Sequence, residues 1–233
     1  MALPRISLPL YEITIPSTDK KVTYRPFTVK EEKILLLAKE SKDIDQIILA
    51  ITQIINNCVK DVDVSKLSTF DLEYLMFNIR ARSVNDIIKF KVSDPDTNED
   101  VELELNINSV TMVKNDQHNK IIKLNDDYNL VMRYPTVNEL KVLSDTDSND
   151  TSKIFDMMIG CIDFIASGDS ITKMSECTPK EVVDFVEGLP TSAIKDIQTF
   201  FQTMPVMRVE CPYVNRKGEH KSFVIQGIES FFI

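Results

Sequence analysis

The chain has 233 residues, 43% hydrophobic and 27% charged, with 5 Gly and no Trp, enough for one large domain or two small ones. A net charge of -9 and a pI near 4.9 argue against nonspecific binding to a nucleic-acid backbone, which needs a basic surface. No run of 18 apolar residues offers a membrane span, Met1-Ala2-Leu3-Pro4-Arg5 lacks the apolar core of a signal peptide, and Cys58, Cys161, Cys177 and Cys211 lie too far apart for a disulfide framework.

Residues 1–10, with Pro4 and Pro9, read as an extended arm, and Leu3, Ile6, Leu8 and Leu10 make it too apolar for a solvated tail. Tyr11–Ile15 and Val22–Pro26 read as a hairpin that a proline stops. Thr28-Val29-Lys30-Glu31 then forms a capping box ahead of Ile34, Leu35, Leu36 and Leu37. The cleanest helix is Asp43–Val59. There Ile44, Ile47, Ile48, Ile51, Ile54, Ile55 and Cys58 make one stripe, so Cys58 reads as core. A box at Ser68 and Asp71 starts a helix lined by Phe70, Tyr74 and Phe77. Strands 87–93 and 101–107 follow around Asp94-Pro95-Asp96-Thr97-Asn98, with the period of two of a half-buried hairpin.

After a polar bridge at Lys114–Asn119 the opening pattern returns. Ile121–Leu124 and Leu130–Pro135 make a second hairpin, and Thr136-Val137-Asn138-Glu139 a second box. Ser144–Asp150, seven small polar residues, reads as a loop without the Gly and terminal Glu of a calcium site. The spacing predicts a helix over 152–166, apolar on nearly every side, as in a helix central to a fold or covered by another chain. Thr178-Pro179-Lys180-Glu181 starts a helix that Pro190 ends, and another helix spans about 192–203. Met207 to Ile228 mirrors Asp86 to Ile107 as a closing hairpin.

The chemistry-bearing residues are few. His118 lies in the bridge and His220 in the last hairpin, and both read as solvated. No phosphate loop, dinucleotide fingerprint, zincin or nucleophile-elbow motif occurs. Cys211-Pro212-Tyr213 with His220 offers two ligands where a structural zinc needs four. No catalytic residue, metal or cofactor is expected.

Several segments in order resemble one known family: Leu3-Pro4 with Tyr11-Glu12, Tyr24-Arg25-Pro26-Phe27 into Val29–Lys33, and Phe77–Val84. Arg133-Tyr134-Pro135-Thr136, Phe200–Pro205 and Gly227–Phe232 complete the set. Across nearly the whole chain this is similar to the baseplate hub proteins of T4-like contractile-tailed phages. Many members place C-x-x-C pairs in the hairpin turns, and this sequence keeps only Cys211-Pro212, so a metal-held turn is not carried over. The resemblance implies a non-catalytic component that builds the baseplate hub, in the host cytoplasm during assembly and in the virion if it is a structural subunit. A transient hub-assembly chaperone is the alternative, and a small enzyme with an unrecognised site the rival of another class.

The expected fold is α+β, with two tandem related lobes, each a helical cluster flanked by antiparallel β-hairpins. Its segments are the arm at 1–10, a lobe at 11–113, the bridge at 114–119 and a lobe at 120–233. Candidate protein-interface residues are Leu3, Ile6 and Leu8 in the arm, Met157, Met158 and Phe164 on the apolar helix, and Phe231, Phe232 and Ile233 at the end. Expected partners are other baseplate hub proteins, with self-association open, and neither nucleic acid nor a membrane span.

Overall fold

The computed structural model describes residues 6–41, 43–83, 87–139 and 151–227. It is α+β, and it divides into two compact units, residues 1–113 with 206–233, and residues 114–205. The loop read at 144–150 and the apolar residues after Glu139 lie outside the described residues.

In the first unit β1 (Tyr11–Thr14) and β2 (Lys21–Tyr24) form the expected hairpin, with Tyr11 opposite Tyr24. Helices α1 (Val29–Ser41), α2 (Ile44–Cys58) and α3 (Thr69–Ala81) follow, with α2 packed on both others. The isoleucine stripe of α2 is the core: Ile51, Ile54 and Ile55 are fully buried, with Ile48 and Cys58 beside them. Asp43 caps α2 through the Asp45 amide, and the Ser68–Asp71 box opens α3 with both reciprocal hydrogen bonds.

Strands β3 (Ile87–Ser93) and β4 (Asp100–Asn106) pair as the period of two requires, and β5 (Thr111–Val113) follows. The closing strands β10 (Val206–Val214) and β11 (His220–Gln226) depart from the lobe expected at 120–233. They belong to the first unit, where β10 pairs with β5 through Val206–Val113, Met207–Met112 and Arg208–Thr111. The reason is burial. A lone two-stranded hairpin is marginal in water, and here Met207, Val209, Cys211 and Ile225 cover the apolar face of Phe90, Val92, Leu103 and Leu105, with Phe77 of α3 alongside. The hairpin tips carry buried side chains that organise the turns. Asp94 Oδ1 accepts from the amides of Asp96 and Thr97, and Asn215 Oδ1 from those of Lys217 and Glu219. Tyr213 Oη donates to Asp94 Oδ2 at 2.8 Å, joining the two hairpins.

The second unit holds the sheet β6–β7–β8–β9, made of β6 (Ile121–Lys123), β7 (Asn129–Met132), β8 (Ile162–Ser167) and β9 (Ser170–Lys173). The helix predicted over 152–166 is therefore two elements. Helix α4 (Thr151–Gly160) stops at Gly160, and β8 carries Ile162, Phe164 and Ile165 into the sheet beside β7. Gly168 (φ 54) and Asp169 form a two-residue hairpin loop between Ser167 and Ser170, a turn that demands positive φ. Helices α5 (Pro179–Glu187), opened by the Thr178–Glu181 box, and α6 (Thr191–Thr203) complete the unit. Its core is Ile122, Leu130, Met132, Met158, Cys161, Ile162, Val186, Ile197 and Phe200.

One local arrangement occurs in both units. Arg25 Nη2 donates to Glu31 Oε1 at 3.0 Å, while the Thr28 amide and hydroxyl donate to Glu31 Oε2 at 2.8 and 2.5 Å. Arg133 Nη2 donates to Glu139 Oε1 at 2.7 Å, and the Thr136 amide and hydroxyl donate to Glu139 Oε2 at 2.7 and 2.5 Å. The amides of Arg25 and Arg133 donate to the carbonyls of Cys58 and Cys161, at 3.0 and 2.8 Å. Burial pushes both carboxyls up, but hydrogen bonds from the arginine and threonine outweigh it and hold each at about 2. Burial also drives the thiols up, to about 11 for Cys58 and about 12 for Cys161, so both stay protonated as small apolar groups.

Glu31→Gln should destabilise the first unit by about 2 kcal/mol in urea unfolding, because Arg25 loses its charged partner. The sign of the pH effect follows from the lowered carboxyl. The contribution of Glu31 and Glu139 is full above pH 4.5 and lost as pH falls toward 2, so Glu31→Gln with Glu139→Gln should flatten that acid limb. A chain ending at Pro205 should lose the buried partner of the β3–β4 hairpin. Limited proteolysis is then expected to cut within 87–106 while 151–203 stays protected; equal protection in the intact and shortened chains would refute the discontinuous unit.

Candidate assembly surfaces

The structure separates the residues that the sequence proposes for contact. Leu3, Phe231, Phe232 and Ile233 lie outside the described residues. In the arm Ile6 is 88% exposed and Leu10 55%, while Leu8 is half-buried. Met158 is buried in the second unit's own core and Met157 packs half-buried against it. Phe164 is half-buried on β8 opposite Val131 of β7, since the predicted helix ends before it. Ile6 and Leu10 of the arm are thus open, and the two methionines serve their own fold.

Other apolar side chains of the second unit stay open. Ile154 and Phe155 on α4, Ile171 on the edge strand β9 and Val183 on α5 are all exposed. Between α4, β8 and α5 lies a cavity of about 530 Å³ floored by Ile159, Ile162, Met174 and Val182, with Asp156 and Asp163 at its margin. Val182, Phe185 and Val186 of α5, with Leu189 just beyond it, have helical spacing; Val186 is buried and the other three are half-buried against the unit's core. A second cavity, of about 610 Å³, lies where Phe185, Leu189, Ile165 and Tyr128 converge. Open apolar grooves of this kind suit protein segments.

His118 is not the solvated residue that its polar surroundings in the sequence suggest. Its Nδ1 lies 3.0 Å from Thr203 Oγ1 and its Nε2 3.0 Å from Tyr134 Oη, and its ring packs on Tyr134 and Phe200. Thr203 Oγ1 already donates to the Thr199 carbonyl at 2.7 Å, so it accepts from Nδ1–H and leaves Nε2 to accept from Tyr134. The imidazole is thereby a neutral clasp holding the 114–120 segment to α6. Burial, helped by Lys120, lowers its pKa below the usual 6.5. No sequence motif marks this cluster, because its members are spread from 118 to 203.

Among the described residues no group of three or more His, Cys, Asp or Glu is placed to hold a metal ion, and no helix is long and apolar enough to cross a membrane. Cys211 is buried in the hairpin core, and His220 is exposed at the start of β11.

A family model described as "T4 bacteriophage base plate protein" matches residues 8–233, nearly the whole chain. The chain belongs to that family. Its class is therefore that of phage baseplate proteins, with a structural role in the tail baseplate and other baseplate proteins as its contacts. No curated protein and no solved structure matches it.

The clasp makes a checkable statement about pH. Because the folded state lowers the His118 pKa, the second unit keeps its full stability above pH 6.5 and loses part of it as pH falls below that value. His118→Gln should remove this acid-side slope and cost about 1 kcal/mol per hydrogen bond lost at pH 7. An unchanged slope in chemical denaturation between pH 7 and 5 would show that the imidazole titrates freely.

Proposed function

We propose that this chain is a non-catalytic structural subunit of the baseplate hub, acting in hub assembly through protein–protein contacts. The observation that carries the reading is the family match over residues 8–233, joined to apolar surface left open beside the core of the second unit. Stable interfaces have an apolar centre and bury more than about 1,000 Å², and the exposed side chains of the arm, α4, β9 and α5 supply such surface. Assembly would take place in the host cytoplasm, and the subunit would remain in the tail.

Quantitative mass spectrometry of purified virions beside tail-assembly intermediates tests the role. A fixed stoichiometry to the other baseplate proteins in both samples is expected. Presence in intermediates with loss from virions would replace the structural subunit by a transient hub-assembly chaperone. Absence from both would end the hub reading and return attention to an enzymatic role.

A further inference from the structure

The N-terminal arm contains no acidic residue and a single cation, Arg5; the first carboxylate of the chain is Glu12. In an extended segment Ile6, Leu8 and Leu10 fall on one side and Ser7 and Pro9 on the other. Residues 6–10 belong to no helix or strand, and Ile6 and Leu10 stand exposed. Pro4 and Pro9 supply no amide donor, so the arm suits a groove better than a sheet edge. The cavity between α4, β8 and α5 has the complementary make-up. Ile159, Ile162, Met174 and Val182 line it, with exposed Val183 beside them. Among the described residues its charged lining is Asp156, Asp163 and Arg133. Arg133 is already matched by Glu139 at 2.7 Å. Both aspartates are exposed, and among the described residues neither forms an ion pair. The groove is apolar and acidic; the arm is apolar and basic.

We propose that the arm of one copy of this chain docks in the α4–β8–α5 groove of a second copy, its aliphatic side on the apolar lining and Arg5 beside Asp156 and Asp163. Neither surface is satisfied within the chain, since the groove stands open while Ile6 and Leu10 face water. Opposite charge at the margin of an apolar contact selects the partner and its orientation. Two bodies of net charge -9 repel each other over most of their surfaces. The arm is the segment that approaches an acidic groove without adding a carboxylate. Exchange of an identical element between copies is a low-cost route to association, and a reciprocal exchange fills both grooves. It also doubles the buried area, toward the more than about 1,000 Å² of a stable interface. The contact rests on the chemistry of arm and groove and does not depend on the hub reading.

Sedimentation velocity of the full chain over a range of concentrations tests this, and a reversible, concentration-dependent association is expected. Arg5→Glu should weaken that association about tenfold or more, and so should Asp156→Lys with Asp163→Lys. Mixing the arm variant with the groove variant should restore it, because each then offers the charge that the other lacks; a variant that had merely lost its fold would not be rescued in this way. Ile6→Ser should weaken association without altering charge. A full chain that stays monomeric throughout overturns the proposal and leaves the groove to a segment of another protein. Association indifferent to Arg5→Glu and Ile6→Ser overturns it by placing self-contact on another face. Variants that fail to pair on mixing overturn it as well, since the arm would then act on its own chain. The hub reading fails separately: copies can associate while the chain is absent from virions and intermediates, and a monomeric chain in the virion would sink the arm contact alone.

Discussion

A carboxylate removed from water must be compensated in place, and in this protein that constraint organises the opening of both units. Glu31 is 2% exposed, and it is satisfied by an arginine just past the preceding strand and by a threonine at the start of its own helix. One acidic group therefore caps α1, fixes the angle at which β2 enters it and holds the guanidinium in a set position. The Arg25 amide continues the connection to the last residue of α2, so strand, first helix and second helix are linked through two consecutive chemical contacts. Removing any member would leave a buried charge or an unpaired donor, which costs more than the net contribution of a typical hydrogen bond. Glu139 stands in the same relation to Arg133, Thr136 and Cys161, with the additional bond from Arg133 Nη2 to the Gly160 carbonyl at the end of α4. A cation at a helix C-terminus satisfies orphan carbonyls and opposes the helix dipole.

Much of this was legible in the chain. Thr28 and Glu31, Ser68 and Asp71, and Thr178 and Glu181 have the spacing of capping boxes, and their geometry is local. The last two pairs form both reciprocal bonds, and in the first the Thr28 amide donates to Glu31 while the Thr28 hydroxyl accepts from the Lys30 amide. The isoleucines of α2 were readable for the same reason. What was not legible depended on distant partners or on a competing signal. The apolar run through Ile162, Phe164 and Ile165 looked helical because its helix-like density continued that of α4. The short strand was nevertheless announced by Gly168-Asp169, a two-residue hairpin turn placed after β-branched and aromatic residues. The environment of His118 could not be read at all, since Tyr134, Phe200 and Thr203 meet it only in the folded unit.

The fate of the closing hairpin shows how far a repeat in sequence constrains the assembled chain. Both Ile87–Asn106 and Val206–Gln226 form hairpins with one apolar face, as their alternation requires. Alternation determines which side must be covered and is silent on what covers it. Two such faces from distant parts of the chain are each other's most economical cover, and the first unit brings them together with α3. Asp94 adds specificity to that contact, because its buried carboxylate uses one oxygen to shape its own turn and the other to accept from Tyr213 on the partner hairpin. A register slip of one residue would present the polar face of either hairpin to Phe90 and Leu105.

The second unit poses a different problem, an amphipathic helix that its own core covers in part. Val182, Phe185 and Val186 of α5, with Leu189 just beyond it, have the spacing of a core-facing seam; Val186 is buried, and the other three pack half-buried against that core. Exposed Val183 lies on α5 itself, and exposed Ile154, Phe155 and Ile171 lie on other elements of the same unit. For a protein acting alone such surface would be a liability for aggregation. If a neighbouring baseplate subunit covers it, as we propose, stability absent from the isolated unit would be recovered on assembly. The first unit differs: its isoleucine stripe and the inner faces of its closing hairpins are covered from within the same unit, so on the proposed reading contact would complete packing chiefly at the second.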